Sequence, residues 1–195
     1  FSLDDPADPS LLDEKNIGSN IETIFNLGDK LFIGAGSGLY IFSIDGTGIP
    51  HEGGEFLYSE FGFGFDPCDP VVANETYAYV TLNSTNRVQR CRVTVEEQVN
   101  LLNIFDITDL FNPSLVAQYD MHNPKGVGLD GNLLFLCEDT QGLKVFDVSD
   151  PQNIKMLKHF QGFTAFDVIP LGGLLLVVGP ENVYQYDYTD LDNMA

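Results

Sequence analysis

Basic residues are scarce in this chain. Among its 195 residues, nine are Lys or Arg and 29 are Asp or Glu, which gives a net charge of −20. A negative field of this size repels nucleic acid and anionic lipid surfaces, so neither is expected as a partner. The charge is interpreted either as a source of solubility or as an attraction for cations and basic partners.

Long apolar runs and cysteines are scarce as well. No run reaches the roughly 18 apolar residues of a membrane-spanning helix, so no membrane span is predicted in this chain. No segment combines sustained helical periodicity with caps, so no long helix is predicted either. The three cysteines, Cys68, Cys91 and Cys137, match no zinc spacing and allow at most one internal disulfide.

What the chain does have is a short phrase of an aromatic residue followed by Asp, written five times. The copies are Phe1-Ser2-Leu3-Asp4-Asp5, Phe42-Ser43-Ile44-Asp45, Phe105-Asp106-Ile107-Thr108-Asp109, Phe146-Asp147-Val148-Ser149-Asp150 and Tyr186-Asp187-Tyr188-Thr189-Asp190. Their aromatic residues are 41, 63, 41 and 40 residues apart. A period near 40 residues indicates a repeat architecture.

Each repeat reads as four short strands separated by turns. In the third repeat the strands are predicted at 125–129, 133–137, 143–148 and 154–160, with a tight turn at Asp130-Gly131-Asn132. Four-stranded antiparallel units at this period predict an all-β fold, a β-propeller. We predict one propeller domain over 1–195, with a partial blade at 1–18 and blades at about 19–60, 66–121, 124–161 and 163–195.

The two ends of the repeat array are incomplete. Residues 1–4 and 10–16 resemble the two outer strands of a blade whose inner strands are missing, and the fourth repeat lacks its outer strand. Either 10–16 completes the fourth repeat and closes a four-bladed ring, or the chain is the C-terminal part of a larger propeller. The second hypothesis is favoured, because a complete gene product is not expected to lack a pair of inner strands.

The phrase Leu143-Lys144-Val145-Phe146-Asp147-Val148-Ser149-Asp150-Pro151 and its weaker copies resemble the repeat of the LVIVD-repeat propeller proteins. Further stretches similar to that family are Cys68-Asp69-Pro70-Val71-Val72, Tyr77-Ala78-Tyr79-Val80-Thr81-Leu82 and Asp167-Val168-Ile169-Pro170. The family is mostly bacterial, often exported or lipid-anchored and largely uncharacterised. The resemblance therefore implies an extracytoplasmic protein, in the periplasm or at the cell surface, anchored through a missing N-terminal region or secreted. The absence of Trp excludes WD-repeat propellers, and 83–98 is longer and more charged than the family leads us to expect.

Acidic residues recur at the start of the first strand in three repeats. In a propeller that strand lines the central channel, so Glu22, Asp69 and Asp167 are expected near its mouth. Three carboxylates there could bind a hard cation such as Ca²⁺, or each could cap backbone N–H groups between blades. His122, which precedes the same strand of the third repeat, either meets these carboxylates or is an ordinary loop histidine.

The loops at the same end of the blades carry the arginines and cysteines. Arg87, Arg90 and Arg92 lie in the insertion of the second repeat, either as a hairpin that pairs with the acidic body or as a recognition loop for an acidic ligand. All three cysteines are expected at this rim. A Cys68–Cys91 disulfide is compatible with the topology, and three independent thiols or a thiolate metal site are the alternatives.

No catalytic set emerges from these residues. The favoured function is therefore a non-enzymatic propeller of the cell envelope that binds a protein or glycan at the face carrying these loops. One alternative is a hydrolase or lyase with an acidic, metal-binding site at the channel mouth. Another is a purely structural module of a surface assembly.

Overall fold

Four antiparallel β-sheets arranged as propeller blades make up the chain, which confirms the predicted all-β propeller class. The computed structural model describes residues 5, 7–17, 20–44, 50–57, 70–90 and 93–194, and at 50–52, 85–90 and 93–97 the backbone alone. The strands in each sheet are ordered as they occur in the chain. The first strands of successive blades contact one another, and this places them on the inside of the propeller.

The strand bounds follow the repeat. Blade 1 contains β1 (Ile21–Leu27), β2 (Lys30–Ala35), β3 (Gly38–Ile44) and β4 (Pro50–Leu57). Blade 2 contains β5 (Val71–Ala73), β6 (Tyr77–Arg90), β7 (Val93–Asp106) and β8 (Ser114–Asp120). Blade 3 contains β9 (Val127–Asp130), β10 (Leu133–Cys137), β11 (Leu143–Asp147) and β12 (Lys155–Phe160). Blade 4 contains β13 (Asp167–Leu171), β14 (Leu174–Val178) and β15 (Val183–Asp187), followed by a 3₁₀ turn at Leu191–Asn193.

The repeated aromatic residue has the same place in every blade. It pairs across the sheet with an apolar residue of the second strand, in the pairs Leu31–Phe42, Ala78–Phe105, Leu134–Phe146 and Leu175–Tyr186. In blades 2, 3 and 4 the ring packs into the junction with the preceding blade. Three apolar clusters therefore fill the three junctions between successive blades, and their burial from water is the main stabilising contribution.

The Asp residues of the phrase organise the turn after the third strand. Asp106, Asp147 and Asp187 each accept a backbone N–H from the second residue after them. Asp109 and Asp150 do the same in Asx turns at the next bend of the chain, and each also accepts an Asn side-chain amide. In blades 2, 3 and 4 the repeated phrase is therefore structural, since it packs a junction and closes a turn in each of them.

These turns predict a pH-dependent contribution to stability. The Asn112 side chain first, and the Phe111 backbone N–H second, lower the pKa of Asp109 below its ordinary value. A carboxyl with a lowered native pKa stabilises the fold above its unfolded pKa, about 3.9, and the contribution disappears as the pH falls through the native pKa. We expect the difference in urea midpoint between the wild type and Asp109→Ala to be largest at pH 7 and to shrink at pH 3.

Glu181→Ala is the control for that experiment, because Glu181 is an exposed carboxylate on blade 4. The urea midpoint of Glu181→Ala should equal that of the wild type at both pH 7 and pH 3. Comparison with this variant therefore separates the turn of Asp109 from the general effect of losing one negative charge. A gap for Asp109→Ala that is the same at pH 3 as at pH 7 would count against the assignment.

Three predictions about individual segments need correction. The predicted strand at 10–16 is wrong, because 11–17 pair with no strand and Lys15 and Ile17 lie against blade 1 instead. The outer strand of blade 1, which the repeat pattern predicts near 55–59, begins at Pro50. The second and third strands of blade 2, which the pattern predicts at 77–82 and 101–105, span Tyr77–Arg90 and Val93–Asp106. Among the described residues no helix is long and apolar enough to cross a membrane.

Candidate functional site

A cavity of about 640 Å³ opens where the first strands of all four blades begin. Its lining includes Glu22 of blade 1, Pro70 of blade 2, Lys125 of blade 3 and Asp167 of blade 4. Asp139, from the turn between β10 and β11, lines it as well. Turns between the second and third strands therefore share this end of the molecule with the starts of the first strands. We call this space the axial cavity.

Hydrogen bonds between blades hold one side of the axial cavity in place. Asn83 Nδ2 donates to the side-chain Oδ1 of Asn123, and Asn123 Nδ2 donates to Asp139 Oδ2 at 2.8 Å. Thr81 Oγ1 donates to the Lys125 carbonyl at 2.8 Å. Because these bonds join blade 2 to the segment that leads into blade 3, the rim is fixed before any ligand arrives.

Glu138 lies beneath this rim with its side chain completely buried. Its Oε1 accepts the His122 backbone N–H at 2.9 Å. Its Oε2 has no hydrogen-bond partner of good angular geometry but lies 2.6 Å from Lys144 Nζ, so we take its charge to be balanced by that ammonium group. A buried carboxylate needs such compensation, because water no longer solvates it.

Asp167 closes the opposite side of the axial cavity against Gly126. Gly126 donates its N–H to the Phe166 carbonyl at 2.8 Å, and a Cβ at position 126 would collide with the Asp167 carboxylate. Only glycine lets the starts of β9 and β13 approach this closely. The Cys137 thiol is buried next to them, and its burial, with the charge of Asp167, raises its pKa. Cys137 is therefore inert at neutral pH, because the thiolate is the reactive form.

A long hairpin distinguishes blade 2 from the other blades. β6 and β7 are 14 residues each, whereas the corresponding strands of blade 3 have five. They stay in register from the Tyr77–Asp106 pair to the Arg90–Val93 pair, and Arg87 pairs across from Glu96. The hairpin extends from the same end of the blade as the axial cavity. We call its outer part, residues 86–97, the recognition arm.

The predicted site residues fall into three groups. Glu22 and Asp167 line the axial cavity together, whereas His122 is exposed and lies outside the lining of that cavity. The backbone places Arg87 and Arg90 near the end of β6, within the recognition arm. Asp69, Arg92, Cys68 and Cys91 lie outside the described residues, so the disulfide and the three-carboxylate cation site remain predictions. Among the described residues no three His, Cys, Asp or Glu side chains are grouped closely enough to hold a metal ion.

Sequence reasoning missed the residues that build the rim. Glu138 and Asp139 fall in the turn between two predicted strands, and the third repeat has Lys125 where the other repeats have an acidic residue, so the motifs single out none of the three. Asp139 has a φ of 50°, a left-handed conformation in which Asp is enriched among non-glycine residues. One sequence signal could have identified Glu138 and Asp139. They are adjacent acidic residues directly after an apolar strand, and since side chains alternate along the chain, one of the two is expected to face inward.

Comparisons with known proteins support the fold of the chain but do not indicate its function. No protein-family model matches the chain, and no curated protein matches it. A chain in a crystal structure of a nidogen/laminin complex is similar, with 18% identity and a TM-score of 0.51. The match covers 82% of this chain and 56% of that one, so the chain spans about half the length of this relative. A structure of KlHsv2 with loop 6CD replaced by a Gly-Ser linker matches at 16% identity, 91% and 69% coverage and a TM-score of 0.37.

Proposed function

We propose that this chain is a binding module that recognises a macromolecular partner at the end of the propeller carrying the axial cavity and the recognition arm. The observation that carries the proposal is the length of the β6–β7 hairpin, which places an arm beside a fixed, polar rim. Extended β-strands commonly supply recognition surfaces, and loops on a rigid scaffold carry binding residues. The similar chain in a nidogen/laminin complex provides a precedent for protein recognition by a propeller-like fold.

The partner is a protein or a glycan in this proposal, and the arm supplies the contacts that decide its identity. Three of the nine basic residues of the chain lie between positions 87 and 92, on a body with a net charge of −20. The arm at 86–97 therefore carries three positive charges against the two negative charges of Glu96 and Glu97, and its excess of positive charge on a negative body orients a partner by electrostatic complementarity. From the resemblance to LVIVD-repeat proteins we further infer that this binding occurs at the cell envelope. Finding the protein only in the cytosol of its source cells would contradict that location.

Removal of the recognition arm tests the proposal. Residues 86–97 are replaced by Asn-Gly, which joins Thr85 to Gln98, a directly opposed pair, through a two-residue turn. Peptides selected from a displayed library against the wild type, and glycans selected from an array, are then measured by biolayer interferometry. We expect at least a tenfold loss of affinity for the shortened chain.

Two further variants make the result specific. Arg87→Ala, Arg90→Ala and Arg92→Ala together keep the length of the arm and should reproduce most of the loss if charge decides recognition. Lys155→Ala removes one positive charge from the exposed outer strand of blade 3 and should bind like the wild type. Selected ligands that bind the shortened chain as tightly as the wild type would rule the arm out as the recognition surface.

A further inference from the structure

A polar groove of about 780 Å³ runs between β4, the outer strand of blade 1, and the segment that precedes β1. We call it the side groove. The residues that line it include Glu14, Lys15, Asn16, Gly53, Gly54 and Glu55. Tyr40 of β3 and Phe111 of blade 2 line it as well. Its volume lies in the range of roughly 300 to 1,000 Å³ that is usual for ligand sites.

Phe111 occupies a turn position at which blades 3 and 4 have a polar residue. The corresponding residues there are Gln152 and Asp192, each the second residue after a turn-forming Asp. The Phe111 side chain is 68% exposed, so its ring adds little to the packing of the fold. An exposed ring beside a groove, at a position that is polar in the other repeats, indicates a contact with a ligand.

The turn that carries Phe111 is fixed in place before a ligand binds. Asp109 Oδ1 accepts the Phe111 N–H at 3.0 Å, and Asp109 Oδ2 accepts the Asn112 side-chain amide at 2.9 Å. The turn also packs directly on β4, where a Cβ at Gly54 would lie only 2.6 Å from Pro113 Cδ. A ring on a rigid turn loses less conformational entropy on binding than a ring on a mobile loop.

Two glycines form the floor of the side groove. Gly53 and Gly54 make a β-bulge, in which they lie opposite the single residue Ile41. The bulge recurs in blades 2 and 3, where its extra residues are Val116 and Leu157. Because blade 1 has glycine at both positions, the backbone of β4 is left as the floor of the groove. Bulges are common next to functional sites.

The polar groups of the side groove are suited to hydroxyl groups. The side chains of Glu14, Asn16 and Glu55 are exposed, and carboxylate and amide oxygens accept hydrogen bonds from hydroxyls. A sugar ring has C–H bonds on one face and hydroxyl groups around its edge. It therefore matches an exposed aromatic ring that is flanked by such acceptors.

The charges around the side groove disfavour an acidic sugar. Glu14 and Glu55 line the groove, and Asp13, which is also exposed, directly precedes it. The ammonium group of Lys15 lies 5.4 Å from the centroid of the Phe42 ring, which lines the same groove. One ammonium group does not outweigh these carboxylates on a chain with a net charge of −20.

We propose that the side groove binds a neutral oligosaccharide, with one sugar ring stacked on Phe111 and hydroxyl groups hydrogen-bonded to Glu14, Asn16 and Glu55. This inference does not depend on the proposed function of the recognition arm, because the arm at 86–97 is a different part of the chain. The chain in which Asn-Gly replaces 86–97 should therefore bind the same oligosaccharide with unchanged affinity.

Isothermal titration calorimetry with neutral pentasaccharides of glucose, mannose, galactose, xylose and N-acetylglucosamine tests the proposal. We expect at least one of them to bind the wild type with a dissociation constant below about 1 mM. Phe111→Ala should weaken that binding at least about tenfold, because the stacked ring is the anchor of the ligand. Phe111→Tyr keeps the ring and should restore most of the affinity. Circular dichroism checks that both variants fold.

Gln152→Ala is the matched control, since Gln152 occupies the same turn position on blade 3. Its affinity should equal that of the wild type. If none of the five pentasaccharides binds the wild type at about 10 mM, the proposal is overturned. Equal affinities of Phe111→Ala and the wild type would overturn it as well. Displayed peptides that bind the wild type and lose affinity for Phe111→Ala, without any pentasaccharide binding, would assign the groove to a protein partner instead.

Discussion

Glu138→Ala should lower the free energy of unfolding by about 3 to 5 kcal/mol, the usual cost of removing one partner from a buried ion pair. The substitution leaves the Lys144 ammonium group without its counter-ion, in a side chain that is 19% exposed. It also leaves the His122 backbone N–H without its acceptor. Urea unfolding followed by circular dichroism measures the change.

Two controls separate the buried pair from the general effect of removing a carboxylate. Glu181→Ala, on the exposed turn of blade 4, should stay within about 0.5 kcal/mol of the wild type. Glu138→Gln keeps a side-chain oxygen for the His122 N–H and loses the charge, so its effect should lie between the two. A Glu138→Ala protein within about 1 kcal/mol of the wild type would show that the pair is not buried as described.

Phe135→Ala should cost about 3 to 5 kcal/mol, because it opens a cavity in the junction between blades 3 and 4. Phe135 is completely buried, and its ring packs edge-to-face against that of Tyr188, with 4.9 Å between the centroids. Tyr188 follows the last strand, so this contact ties the end of blade 4 to blade 3. The loss should appear as a lower midpoint in urea or guanidinium unfolding.

Phe111→Ala is the matched control, since it removes the same side chain from a position that is 68% exposed. Its free energy of unfolding should change by no more than about 0.5 kcal/mol. Phe135→Leu keeps most of the buried volume and should recover a large part of the loss. Equal losses for the two alanine variants would be incompatible with junction packing as the source of stability.

The repeated phrase predicted the fold well because its chemistry is local and periodic. An aromatic residue at Phe105, Phe146 or Tyr186 marks the same position of the third strand in each blade, and the following Asp closes the same turn. The proximity of the acidic residues at the starts of β1 and β13 was likewise predictable, because the first strands of all repeats lie together around the propeller axis. That reasoning correctly brought Glu22 and Asp167 into one cavity.

Features that depend on contacts between distant segments were not predictable in the same way. The segment 10–16 was assigned as a strand from its place in the repeat, although only Leu11 and Leu12 in it are apolar, and whether a strand forms there depends on a neighbour with a free edge. The hairpin continues beyond 82 because it contains β-forming residues such as Val93, Thr94 and Val95, and the charged residues that flank them, Arg92 and Glu96, obscured this pattern. The pairing of Glu138 with Lys144 depends on the turn geometry between two strands, which the sequence leaves open.

The blade junctions hold the fold, and we propose that recognition belongs to the arm of blade 2. The most direct test is the urea unfolding transition of the chain in which Asn-Gly replaces 86–97. Ser84 and Val99, which lie at the base of the hairpin, are kept in this variant. We expect a single transition whose free energy of unfolding lies within about 1 kcal/mol of the wild type. A loss comparable to that of Phe135→Ala would contradict it, because the arm would then be part of the scaffold.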